Sequence, residues 1–299
     1  MSRRRHQEPR LVSSGDSVAA DDHRRRASAE VAEWGKGYVR RHPRASLETV
    51  GRQVLMGGRA IRYLVTDVAS GKFPFGEFVE QAAFMVKTSY VPTVAVALPV
   101  SATLSIQFGL LAGQVGATSL AGAASGLAVI RQSAPLVTAI LLAAAVGSAI
   151  CSDLGARTIR EEIDALEVMG VSALRRLVVP RLAAGILVAM ALTGFSCFIG
   201  FLAGYLFNVY VQGGTPGSFM ATFSSFATIG DLFLAMVKAA VFGVIVTIVA
   251  CEKGLHAKGG PGGVANSVNA TVVASMILLM VVNVGFTEMY TVLFPRTTL

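Results

Sequence analysis

Four carboxylates, Glu161, Glu162, Asp164 and Glu167, fall within one short stretch of the segment Cys151–Arg181, which reads CSDLGARTIREEIDALEVMGVSALRRLVVPR. Clustered carboxylates can move protons, hold a cation or simply face water. The histidines, His6, His23, His42 and His256, are scattered, and none stands with Cys, Asp or Glu at metal-ligand spacing, so no metal site is expected. The chain has no G-x-S-x-G or H-E-x-x-H pattern, and no catalytic residue is assigned. It also has no G-x-x-x-x-G-K-[ST] loop, so nucleotide would have to be bound elsewhere. Arg157 with Glu161, and Arg160 with Asp164, stand four apart and can pair along a helix. That leaves Glu162 and Glu167 for water or for a partner. On pattern alone, a docking surface and a solvated loop are equally good readings.

The element that carries these groups is a short amphipathic helix. Ile159, Ile163, Leu166 and Met169 recur at helical spacing, the acids lie off that face, and Gly170 is a C-terminal stop. Long apolar runs flank it, so the charged segment must sit in water while its neighbours sit in lipid. Composition agrees: 53% of the 299 residues are hydrophobic and 15% charged, against about 25% charge in soluble domains. The expected class is an all-α integral membrane protein. The net charge of +8 does not point to nucleic acid: residues 1–45 alone hold eleven Lys or Arg against six acids, an excess of five, and basic tails on membrane proteins mark the cytoplasmic side. Cys151, Cys197 and Cys251 lie in or at the ends of apolar runs and read as small apolar fillers.

Three regions are expected. Residues 1–45 form a disordered basic cytoplasmic tail without a cleavable signal. Residues 46–88 form interfacial elbow helices, with Leu55, Ile61, Leu64, Val65 and Val68 among Arg52, Arg59, Arg62 and Asp67, broken at Phe73-Pro74-Phe75-Gly76. Residues 89–299 form the membrane domain, with spans at about 91–112, 135–151, 182–210, 232–251 and 268–294. The stretch Gly113–Ile130 reads either as a connection or as a broken extension of the first span, and Gly213–Gly217 as a turn. With the N-terminus inside, Arg157, Arg160, Arg175, Arg176, Arg181, Lys253 and Lys258 fall inside, and Arg131 and Arg296 outside. The C-terminus is then extracytoplasmic. Gly109/Gly113, Gly122/Gly126 and Gly200/Gly204 provide for close helix approach.

Ion-coupled carriers place acids or histidines near the bilayer midplane. Here Glu288 lies toward the outer end of the last span, and Asp231 and Glu252 lie at span edges. Gln107, Asn208 and Glu288 are candidates for lining a substrate path, although helix–helix hydrogen bonding is the better account of each.

The stretch IREEIDALEVMGVSALRRLVVPRLAAG resembles the signature of the MlaE/YrbE permease family, whose coupling segment carries Glu-Glu-x-Asp-Ala-Leu, here Glu161, Glu162, Asp164, Ala165 and Leu166. The resemblance extends through RQSAPLVTAILLAAAVGSAICSDLGART and NSVNATVVAS, and its wording is most like the YrbE subunits of actinobacterial Mce systems. It implies a permease subunit of an ABC-type lipid transporter in a bacterial cytoplasmic (inner) membrane. The implied partners are a cytoplasmic ATPase that binds ATP and Mg, a second identical or paralogous permease, and MCE-domain proteins; the implied substrate is a fatty acid, phospholipid or sterol. In that scheme Glu161, Glu162, Ile163, Asp164, Ala165, Leu166, Glu167 and Gly170 form the ATPase-coupling segment, with Ile163 and Leu166 seated in the ATPase groove. The alternatives are an ion-coupled transporter or channel, and a non-transporting scaffold.

Overall fold

The computed structural model describes residues 49–71, 73–114, 116 and 121–293. The tail expected at 1–45 lies outside the described residues. The chain divides between Arg52 and Gln53, and the architecture below is that of the unit from Gln53 onward. Among the described residues there are helices and turns but no strand.

Helix α1 covers 49–69 and ends before the expected break at Phe73-Pro74. From Gln53 on, its buried stripe is Gln53, Gly57, Ala60 and Asp67, with Leu64 half-buried, while Leu55, Ile61, Val65 and Val68 face outward beside Arg59 and Arg62. Helix α2 is Phe75–Gln114. The amphipathic piece and first span expected as separate elements are therefore one helix about 60 Å long, and Pro92 and Pro99 lie in its interior. Proline removes a backbone donor and frees the carbonyl four residues earlier, a loss that long apolar helices tolerate through local adjustment.

Helix α3 covers 121–159 without interruption, with two wider π turns at Val129–Ser133 and Leu142–Gly147. The uncharged Gly/Ala/Ser segment thus belongs mainly to the second span. It starts well before Pro135, because a stretch poor in side-chain bulk can still be helical when neighbouring helices cover it. Helix α4 is Glu162–Val168, and α5 is Leu174–Tyr210, opening on a π turn at Leu174–Val178. The expected 211–231 gap contains a further helix, α6, at Pro216–Phe226, whose N-cap Thr215 accepts from the Ser218 amide at 3.3 Å. Helices α7 (Ile229–Leu255) and α8 (Gly260–Leu293) follow. Among the described residues five helices, α2, α3, α5, α7 and α8, are long and apolar enough to cross a membrane.

In lipid there is no hydrophobic drive between helices, so close packing decides which faces meet. Helix α2 buries Met85, Ser89, Thr93, Ala97, Ser101 and Ser105, every fourth residue and mostly small. Opposite them a Cβ on Gly200 or Gly204 of α5 would come within 2.9 Å of Ser101 Oγ or Ser105 Oγ. The α5–α7 crossing is tighter: a Cβ on Gly243 would stand 2.6 Å from the Gly185 carbonyl oxygen. Around these crossings Leu142, Val146, Leu154, Leu182, Phe242, Val246 and Leu279 form one continuous core. At one end of the bundle Thr158 of α3 bonds the Gly254 carbonyl of α7 at 3.2 Å, beside α4. At the other, α6 packs Phe219 and Phe223 against Phe201 of α5.

Candidate functional site

The acidic helix is a separate element because α3 stops at Ile159 and the backbone turns at Glu161, where φ is +60° and ψ is +18°. Glu161 is the one non-glycine residue with positive φ among the described residues. A left-handed glutamate costs about 1–2 kcal/mol relative to the right-handed form, a strain typical of positions that function constrains.

This turn alters the pairing expected from sequence. Arg157 bonds Asp153 at 3.3 Å, and Arg160 bonds Glu162 at 2.7 Å, in place of Glu161 and Asp164. The i,i+4 rule fails because 157–164 is not one helix. Glu162 is therefore paired, whereas Glu161, Asp164 and Glu167 are exposed with no ion-pair partner among the described residues.

The apolar face also differs. Ile163 is only 8% exposed and belongs to the chain's own core, with Leu166 packed against it. Ile163 is therefore not free to fill a partner's groove, and its role is to anchor α4. Ala165 is exposed, and the outward apolar groups are Val168, 88% exposed, and Met169, 68% exposed. Gly170 ends the helix as expected: φ is +74°, its amide donates to the Glu167 carbonyl at 2.9 Å, and the Val171 amide donates to the Leu166 carbonyl at 3.0 Å. These two bonds are the Schellman pair. The surface thus presents three carboxylates around an apolar tip, held on a closed turn.

Immediately downstream, three arginines bind three different helices. Arg175 donates twice to Asp67 of α1, with Nε at 2.9 Å. Arg176 reaches Glu77 of α2 at 3.0 Å, and Arg181 reaches Asp153 of α3 at 2.5 Å.

Farther along the bundle an apolar cleft of about 620 Å³ opens between α2 and α3, lined by Pro99, Val100, Leu104, Phe108, Leu136 and Val137, with Gln107 and Gln132 on its wall. Ser133 also lines it, and its buried hydroxyl has no hydrogen-bond partner. The cleft fits an apolar ligand with a hydrogen-bonding end. The three path residues expected from sequence are not brought together. Gln107 lines this cleft, whereas Asn208 lines a second one with Gln212, to which its amide donates at 3.2 Å. Glu288 is exposed on α8 and lines neither.

One cluster escaped the sequence reading. Asp231 is fully buried and accepts from Arg131 Nε at 2.7 Å, with Thr228 at 2.8 Å on its other oxygen and the Tyr290 hydroxyl at 3.4 Å. Lys238, 1% exposed within α7, donates to Thr287 Oγ1 at 2.8 Å and to the Arg131 carbonyl at 3.5 Å. A lone lysine in an apolar run is itself a signal, because such a residue in a span must face the bundle interior. The topology count passed over it by counting only loops.

Comparison with known proteins agrees with this architecture. The family model described as Permease MlaE matches residues 78–289. A probable ABC transporter permease protein of Synechocystis is 34% identical over 168 residues, 56% of this chain and 64% of the relative. A counterpart in Rickettsia bellii is 29% identical over 55% of this chain and 63% of its own length. The chain thus spans less than two thirds of these bacterial relatives. The chloroplastic protein Trigalactosyldiacylglycerol 1 of Arabidopsis thaliana is 30% identical over 60% of this chain and 51% of its own length. With the family match running from the start of α2 nearly to the end of α8, the chain belongs to the MlaE permease family, as a multi-pass membrane permease.

Proposed function

We propose that this permease is the membrane subunit of an ABC-type lipid transporter, driven by ATP hydrolysis in a separate ATPase that docks on α4. The observation that carries this reading is α4 itself: unpaired carboxylates, the strained Glu161 turn and the exposed Val168–Met169 tip, on a helix anchored through Ile163. An exposed apolar tip ringed by charge suits seating in a partner's groove better than a solvated loop. ATP and Mg are bound by that partner, in keeping with the lack of a phosphate-binding loop in this sequence. Glu161, Asp164 and Glu167 make the polar contacts, Val168 and Met169 fill the groove, and Glu162 is held back by Arg160.

The lipid part of the reading rests on the apolar cleft beside Ser133 and Gln107, and on a plant relative that bears the name of a galactolipid. A second permease and MCE-domain proteins complete the complex in a bacterial inner membrane, with α4 in the cytoplasm and the α6 end outside. The outward valines, leucine and arginines of α1 then lie at the lipid headgroups.

Reversing charge at Glu161 and Asp164 tests the reading. The variant should insert normally yet fail to co-purify with the ATPase, and an intact complex would sink it. The Arg131–Asp231–Lys238 cluster favours a second reading, an ion-coupled carrier. Flux that follows a proton gradient without ATP, and disappears in Lys238→Met, would establish it instead.

A further inference from the structure

We infer that Arg175 and Arg176 splice the downstream end of the α4 loop to the two N-terminal helices, so that force applied to α4 is delivered to α1 and α2. This rests on the proposed docking of an ATPase at α4.

Force entering at Val168–Met169 leaves downstream through the segment 169–173, besides passing through Ile163 into the core. That segment is short and closed by the Gly170 turn, so it transmits displacement better than it absorbs it. It feeds directly into the π turn Leu174–Val178. There two consecutive arginines point to different helices, Arg175 to Asp67 on α1 and Arg176 to Glu77 on α2.

The Asp67 side chain is 3% exposed, and Arg175 is the ion-pair partner that neutralises it among the described residues. A two-point guanidinium–carboxylate contact fixes orientation as well as distance. Asp67 sits on the buried stripe of α1, one helical turn beyond Leu64, so the contact is made where α1 meets the bundle. Residues Asp67, Pro74, Ser172, Arg175 and Arg176 surround a common recess of about 460 Å³. The splice therefore spans the α1–α2 elbow. Arg181, bound to Asp153, ties the same stretch to α3. Arg175 and Arg176 act as positioning residues: they set where α1 and α2 lie when α4 moves.

The test places spin labels at Leu55→Cys on α1 and Val168→Cys on α4 in the permease alone; the native cysteines are buried. Arg175→Glu should broaden the interhelical distance distribution at least twofold, and the swap Asp67→Arg with Arg175→Asp should narrow it again. Asp67→Asn, which preserves size and some hydrogen bonding, should broaden it to a lesser degree. An unchanged width in Arg175→Glu overturns the splice, as does equal broadening in the swap. In the unlabelled complex, Arg175→Glu should still co-purify with the ATPase and hydrolyse ATP, while lipid moved per ATP falls at least tenfold. Unchanged coupling overturns the splice. A wild-type permease that captures no ATPase would instead defeat the docking reading, and the label distances would still judge the splice.

Discussion

At the scale of single residues, Glu161 and Gly170 bracket α4 with opposite economies. Both are left-handed, but only glycine adopts that conformation without steric cost. Glu161→Gly should therefore raise stability by about 1 kcal/mol in thermal unfolding while weakening ATPase capture, because the carboxylate leaves the docking rim. Gly170→Ala should do the reverse, losing about 1–2 kcal/mol and loosening α4 with every carboxylate still present. Should Glu161→Gly prove neutral in both assays, the strain would have no functional counterpart. Deeper in the bundle, Asp231→Leu leaves the half-buried Arg131 without its counter-charge. Losing one partner of a fully buried pair costs about 3–5 kcal/mol; with Arg131 partly in contact with its surroundings the loss should fall below that range and be read as a lowered unfolding temperature in detergent. Thr228→Ala removes the hydroxyl that donates to the same carboxylate and should cost about 1.5–3 kcal/mol.

Among elements, legibility followed the physics of each signal. The five spans and the all-α class could be read because apolar length is set by bilayer thickness, whatever the neighbouring helices do. The helices run past the expected spans wherever helix continues through residues that are weak helix or span formers. The Gly/Ala/Ser start of α3 is covered by Phe219, Thr222 and Phe223 of α6, contacts that sequence does not display. Helix α6 was hidden for a similar reason: it is short, and its phenylalanines are organised by Phe201 and Tyr205 from another helix. The acidic helix was legible as an element, but its pairings were not, since one positive φ at Glu161 redirected Arg157 and Arg160. The small-residue ladder of α2 was readable in principle at its four-residue spacing, yet it gains meaning only opposite Gly200 and Gly204. Gly204→Leu should therefore force α2 from α5. Overpacking a tight site costs about 1–3 kcal/mol, seen as a lowered detergent unfolding temperature, whereas Gly113→Leu, with nothing within 4 Å of a Cβ, should be silent.

For the whole molecule, the two ends of the bundle carry different chemistry, and that difference fixes what the sidedness must be if an ATPase is the motor. The α4 end holds Arg157, Arg160, Arg175 and Arg176, together with Lys253 and Lys258 near the α7–α8 turn, and Thr158 ties α3 to α7 there. The α6 end is dominated by Thr, Ser, Gly and Phe, and Arg131, the described arginine nearest to it, is spent on Asp231. Positive residues remain on the cytoplasmic side during insertion, so the proposed docking reading expects α4 on that side. Single cysteines at Ser172 and Ser218, both exposed, report the two ends without interference from the buried native cysteines. A membrane-impermeant maleimide applied to intact cells should modify Ser218→Cys and spare Ser172→Cys, and inverted vesicles should reverse the pattern. Labelling of Ser172→Cys from outside would place α4 beyond the reach of a cytoplasmic ATPase. The docking reading would then fail, although the helix packing would be unaffected.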